Sequence, residues 1–343
     1  MHAIVESASP SKAGQTSLPK VASLLIRRLS LGIVTLWITS VLVFVGTEVL
    51  PGDVVELVLG QGATPESVAA IRKSMSLDRP AHTRYFNWLV GALQGDFGRS
   101  LAGDVAGTAE SGREVAGLIG ERLGNSLRLA GMTAAIAVPL SLLIGLLSAM
   151  FPGGILDRFV SIAALCAISV PEFFIGSLLV MLFSVMLGWL PAIAYLSDSQ
   201  TLWETLRAII LPVLTLTFAV LAHMARMTRA SLLSVLRSSY IETAVLKGAT
   251  RWRVVFRHAL INAIGPIANV VALNLAYLVG GVVIVESVFA YPGMAKLMVD
   301  SVSSRDIPVV QACALIFCAI YVGLNLVADM VAILANPRLR NPK

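Results

Sequence analysis

The apolar residues of this chain are gathered in runs of about 20 or more, and a run of that length narrows the possible folds sharply. At about 1.5 Å per residue, a helix of about 20 residues crosses a hydrocarbon core of about 30 Å while satisfying its own backbone. Of 343 residues, 57% are hydrophobic and 13% are charged, a composition outside the range of soluble domains. Six spans follow from the runs: Leu29 to Leu50, then approximately 127–151, 158–188, 206–226, 263–286 and 308–333. Short-loop charges orient them. Arg27-Arg28 precedes the first span, the loop from Arg226 to His258 holds seven Lys/Arg and one acid, and Arg338, Arg340 and Lys343 follow the last. The loop from Pro191 to Trp203 holds no Lys or Arg. Both termini are therefore expected inside. The net charge of +6 sits in these loops, the pattern of a protein oriented in a lipid bilayer and not of one that binds nucleic acid.

Residues 1–24 read as a disordered cytoplasmic tail and 25–50 as the first transmembrane helix, too long a run for a signal sequence. Residues 51–119 read as an external region; its Lys/Arg, from Arg72 onward, are exempt from the positive-inside rule because the loop is long. Within it, Thr64 and Pro65 start a helix with Val68, Ile71 and Met75 on one face. A second helix covers Ala81 to Leu93 with Tyr85, Trp88 and Leu89, and Gly95 to Ser100 makes a turn. Residues 120–334 form the membrane core, and 335–343 a cytoplasmic tail. Cys166, Cys313 and Cys318 lie inside apolar runs without metal-ligand spacing to histidine, so they read as small core residues.

One stretch of the core, residues 239–258, is a charged amphipathic island. Ile241 to Lys247 reads as a short helix with Glu242 near its start and Lys247 near its end, as the helix dipole favours. Gly248 can close it in the left-handed conformation, and Thr250 can cap the next helix. That helix places Trp252, Val255, Phe256, Ala259, Leu260 and Ala263 on one face, with Arg253 and Arg257 on another. Between two spans, such an element offers a small knob to a partner at the cytoplasmic surface.

Glu242-Thr243-Ala244, three residues and then Gly248, resembles the "EAA" coupling loop of permease subunits in ATP-binding-cassette (ABC) importers. The flanks, Ala225-Arg-Met-Thr-Arg-Ala-Ser231 and Arg257-His-Ala-Leu-Ile-Asn-Ala263, are similar to the dipeptide/oligopeptide branch. Thr243 replaces the second motif alanine, and the Ile-x-Leu-Pro ending is absent, with the first proline at Pro266; both departures fit that branch. Asp78-Arg-Pro80 and Gly95 to Ser100 resemble its external region. The resemblance covers nearly everything after residue 24. It implies an all-α, six-helix membrane protein with the type I ABC importer permease fold. It also implies an ATPase-coupling role for Glu242, Thr243, Ala244, Lys247, Gly248 and Arg251. The implied partners are a second homologous permease, two ABC ATPase subunits and an extracytoplasmic solute-binding protein, in a bacterial inner membrane. No cofactor is expected in this chain; ATP and Mg would be bound by the partner subunits. The expected solute is a di- or oligopeptide, and relatives on the same scaffold take nickel, glutathione, opines or oligosaccharides.

Two further stretches bear on a solute path. Glu286 to Gly293 closes with Tyr291-Pro292-Gly293 at the outer end of span five. Met294 to Val302 can then form a short helix, and Asp306 can cap span six with Pro308 just inside it. By the same resemblance Tyr291, Asp300, Arg305 and Asp306 belong to the outer gate or path. Span three contains Ser169-Val-Pro171-Glu172. A centred acid costs about 2.5–3.5 kcal/mol, against roughly 5–10 kcal/mol from the 16 Ile/Leu/Phe/Val between Phe159 and Leu187. The span therefore inserts; it is longer than the membrane needs, so it tilts or bends, with Pro171 the place for a bend. Glu172 either lines the path, or is a carboxylate paired within the bundle or held near a water-filled vestibule. Two other classes compete with this reading. An intramembrane enzyme would need a catalytic motif, and the four histidines (His2, His82, His223, His258) are scattered without one. A secondary transporter would show repeat halves, and no internal repeat is evident.

Overall fold

A computed structural model describes residues 18–49, 79–101, 113–196 and 199–335. The helix expected at Thr64, the tail charges Arg338, Arg340 and Lys343, and Asp78 lie outside the described residues. Among those described there is no strand, only an isolated antiparallel bridge between Arg99 and Glu114. The helices are α1 (Leu18–Glu48), α2 (Ala81–Leu93), α3 (Val115–Met150), α4 (Ile155–Ser169), α5 (Glu172–Leu179), α6 (Leu202–Leu236), α7 (Ser239–Leu246), α8 (Arg251–Arg253), α9 (Leu260–Val288), α10 (Met294–Ser303) and α11 (Ile307–Ala335). α5 continues as a π-helix over Val180–Met186, and Val254–Ala259 is a second π-helix joining α8 to α9.

Among the described residues, five helical stretches are long and apolar enough to cross a membrane: Leu25–Glu48, Val115–Met150, Leu202–Leu236, Arg251–Val279 and Ile307–Val331. The expected third span is the exception. It is a pair, Ile155–Ser169 and Glu172–Met186, bent by 100°. The bend falls where Pro171 predicts it but is far sharper than a proline kink. Val170 (φ −98, ψ 125) and Pro171 (φ −60, ψ 142) are both extended. Proline disfavours helical geometry in its predecessor, and here two successive extended residues stop one helix and aim the next elsewhere. α1 also begins earlier than expected, within the stretch read as tail.

The bundle is built in sequence around α6 and α9. α3 packs along α6, α6 on α9, α9 on α11, and α11 on α1; α4 and α5 lean on α6. Leu129, Leu211, Leu216, Met224, Leu278 and Phe289 are fully buried where α3, α6 and α9 meet. α1 is fastened to α11 by polar contacts along its length. Arg28 pairs with Asp329 at 2.8 Å, Gln311 Nε2 donates to Thr47 Oγ1 at 2.7 Å, and Cys318 Sγ lies 3.4 Å from Thr39 Oγ1. Polar pairs inside hydrocarbon fix which faces meet, since lipid and leucine are equally apolar. The cysteine expectation is corrected in one case: Cys313 is buried and Cys318 half-buried, but Cys166 is exposed on α4.

At one end of the bundle, Val115, Leu118 and Ile119 of α3 pack with Met294, Leu297, Val309 and Cys313, with Phe97 against them. At the opposite end, α7 and the π-helical turn close over the end of α6.

Candidate functional site

The element between α6 and α9 is rooted from below and bare on top. Ile241, Val254 and Ala259 are buried against Val235, Leu236 and Ala249. α7 ends in a Schellman motif: Gly248 N–H donates to Val245 O at 2.9 Å and Ala249 N–H to Ala244 O at 3.2 Å. Gly248 takes φ +81, the left-handed value read from the sequence. Glu242 lies in the first turn of α7 and Lys247 is its C-cap residue, so both charges suit the dipole. Thr243 Oγ1 donates to Ser239 O at 3.0 Å, and Glu242, Thr243, Lys247, Gly248 and Arg251 are exposed, with Ala244 half-buried. The crest is apolar: Leu246 is 82% exposed, Val245 55% and Tyr240 42%.

Two details of this element differ from the sequence reading. Thr250 stands at the N-cap position but its hydroxyl makes no capping bond. The apolar face expected to run from Trp252 to Ala263 is split. Val255, Ala259 and Ala263 are buried, together with Val254, whereas Trp252 and Phe256 are exposed and stacked on each other, 5.5 Å between centroids and 4° between planes. The π-helix is the reason, because its wider turn shifts the register on which an α-helical period was projected.

The same end carries contacts the sequence reading missed. The Arg251 guanidinium lies 5.2 Å above the Phe151 ring at the end of α3, a cation–π contact. Asp157, in the first turn of α4, accepts both Nε and Nη2 of Arg229 on α6, the latter at 2.8 Å, and also the Gly153 N–H at 2.8 Å. Asp157 is buried; removing one partner of such a pair costs about 3–5 kcal/mol. The short loop between α3 and α4 is thus tied to the charged element on one side and to α6 on the other. An arginine inside a helix and an aspartate four residues after Gly153 were the available signals, but their pairing spans the fold.

At the opposite end the gate candidates are grouped, and Glu172 lies apart from them. Tyr291 is buried; its hydroxyl donates to Asn125 O at 2.8 Å, and Asn125 Nδ2 returns a bond to Pro292 O at 2.9 Å. Burial, and then the nearby Glu286 charge, push the Tyr291 phenol up to about 12. Asp306 is buried and accepts the Ser100 hydroxyl, fixing the turn at Gly95 to Ser100 onto the start of α11. Asp300 pairs on the surface with Lys296 at 2.9 Å, and Arg305 takes a positive φ of 58 at the turn into α11. Glu172 begins α5 at the sharp bend, where its Oε1 accepts the Tyr277 hydroxyl of α9. In the sequence Glu286 reads only as the start of a turn, yet it is fully buried and bonded to Ser126; an acid ending an apolar run is its sequence signal.

Residues 141–341 match the family described as the binding-protein-dependent transport system inner membrane component, and residues 21–129 match the N-terminal membrane component of the same systems. The glutathione transport system permease protein GsiC of Escherichia coli (strain K12) is 39% identical over 315 residues, 92% of this chain and 98% of that protein. A protein of Sinorhizobium fredii named as a probable peptide ABC transporter permease is 34% identical over 316 residues, again 92% and 98% of the two chains. The chain therefore belongs to the family of binding-protein-dependent inner membrane transport components, a multi-pass transporter subunit with the type I ABC importer permease fold.

Proposed function

We propose that the chain is one of two homologous permease subunits of an ATP-driven importer for di- or oligopeptides. Its solute path runs between the two, two ATPase subunits dock inside, and a solute-binding protein delivers from outside. ATP and Mg are held by the ATPases, and both termini are cytoplasmic. The observation that carries the reading is the crest of α7. Leu246, Val245 and Tyr240 are exposed in a basic loop that belongs in water, on an element whose underside is firmly packed. Apolar residues in that position need a protein partner. The peptide assignment rests on the external-region and coupling-loop likeness and on the named relatives.

The geometry supplies a lever. A push on α7 from a closing ATPase dimer is transmitted through Ile241 and Val254 into α6 and α9. Arg251 carries the same displacement to Phe151 and α3, and the Asp157–Arg229 pair makes α4 follow α6. Since α4 ends at the bend before Glu172, motion at the ATPase side reaches the middle of the bundle.

Leu246→Asp tests the reading. The side chain is the most exposed of the crest, so the subunit should insert and pair with its permease partner at the normal level. Co-purification of the ATPase subunits should fall at least about tenfold, since a buried charge in an apolar contact costs more than ~1.4 kcal/mol. Undiminished ATPase capture would remove the docking assignment.

A further inference from the structure

The first amides of any helix lack partners within it. In α10, three of them are taken by side chains from two other helices. Ser126 Oγ of α3 accepts the Met294 N–H at 2.9 Å. The Glu286 carboxylate of α9 accepts the N–H groups of Ala295 at 2.9 Å and Lys296 at 3.0 Å, and its other oxygen accepts the Ser126 hydroxyl at 2.5 Å. Ser126, Glu286, Met294 and Ala295 are all buried. The carboxyl group is withdrawn from water here, and the two N–H groups, the Ser126 hydroxyl and the positive end of α10 replace part of its hydration.

The backbone is shaped around this carboxylate. Gly293 is the N-cap residue of α10, and a Cβ on it would fall inside the Glu286 carboxylate. An ordinary cap is local, supplied by the N-cap side chain itself. This one arrives across a turn from Glu286 and from Ser126, 160 residues away from it in the chain, so it joins three helices at one point. The other end of α10 is fixed as well. The Asp306 N–H donates to Ser301 O at 2.8 Å, and its side chain accepts Ser100. Between these holds α10 leaves Val299, Asp300 and Val302 exposed.

We propose that Glu286 and Ser126 form a latch that makes α3, the end of α9 and α10 move as one body, carrying displacement from the docking element to the outer face. This rests on the transport reading above. Glu286 is a positioning residue and acts through α10.

The test uses the assembled importer in proteoliposomes and two readouts: hydrogen exchange at the α10 amides, and uptake per ATP of radiolabelled dialanine and of glutathione. Glu286→Ala should speed exchange at Ala295 and Lys296 by at least about tenfold and lower uptake per ATP while hydrolysis continues. Ser126→Ala should do the same at Met294. Glu286→Gln keeps an acceptor oxygen and should restore most of both. Faster exchange with unchanged uptake per ATP would reduce the cluster to a cap and overturn the latch; unchanged exchange would overturn its contacts. Should Glu286→Ala fail to assemble, Ser126→Ala decides by the same readings. A wild-type importer that takes up neither solute with ATP would count against the peptide reading, while exchange still judges the contacts.

Discussion

Glu172 is positioned by a break in the chain and not by a regular helix. Pro171 stops the incoming helix, and Glu172 opens α5 with one oxygen on the Tyr277 hydroxyl. Its other oxygen is buried and makes no hydrogen bond among the described residues. A buried acceptor left without a partner costs about 1–3 kcal/mol, which a purely structural acid would have little reason to carry. Its bonded neighbour is a phenol and not a cation, which favours the path over a paired role. In Glu172→Gln the amide oxygen still accepts from Tyr277, so the yield of assembled complex should stay normal. Uptake of peptides with a free amino terminus should fall relative to acetylated ones by at least about fivefold, ~1 kcal/mol of electrostatic preference. Purified yield and uptake per complex across both solute sets decide it. An unchanged preference would remove Glu172 from the path, and a lowered yield would make it structural.

At the scale of elements, the α7 turn depends on backbone freedom more than on space. A Cβ at Gly248 would meet nothing within 4 Å, so alanine is penalised only by the left-handed backbone, about 1–2 kcal/mol. Proline cannot take φ +81 and removes the N–H bonded to Val245 O. Gly248→Pro should therefore abolish uptake while Gly248→Ala keeps most of it, with both proteins at normal membrane levels; normal transport by the proline variant would refute the coupling role of the turn. This turn was legible in the sequence because its chemistry is local: a charged helix, a glycine, a second start. The split face after it was not legible, because a π-helical turn alters the period that a reading of Trp252 and Phe256 assumes. Cys166 misled for a different reason. An apolar run does not say which of its faces meets protein and which meets lipid, since both are equally apolar.

For the whole molecule, the five long spans and their order followed from hydropathy, but the sharp break of the third expected span and the ties between helices did not. Asp157 with Arg229, Ser126 with Glu286, and Ser100 with Asp306 join residues separated by 72, 160 and 206 positions. No local pattern marks such pairs, and without covariation a sequence shows only that each polar group needs some partner. The ties sort by end. The α7 element, Phe151 and Asp157 share one end; Ser100, Tyr291, α10 and Asp306 share the other. By the positive-inside rule, the basic loop from Arg226 to His258 leads to the expectation that the first end lies inside. With Cys166, Cys313 and Cys318 replaced by alanine, a single cysteine at Ser303, exposed on α10, should react in intact cells with a thiol reagent that cannot cross the membrane. A single cysteine at Arg237, exposed where α6 ends, should react only after the membrane is opened. The reverse pattern would place α7 outside, where no ATPase could reach it, and would overturn the docking and coupling assignments together. Reaction at both sites in intact cells would put the end of α6 and α10 on one face and overturn the assignment of the two ends to opposite faces.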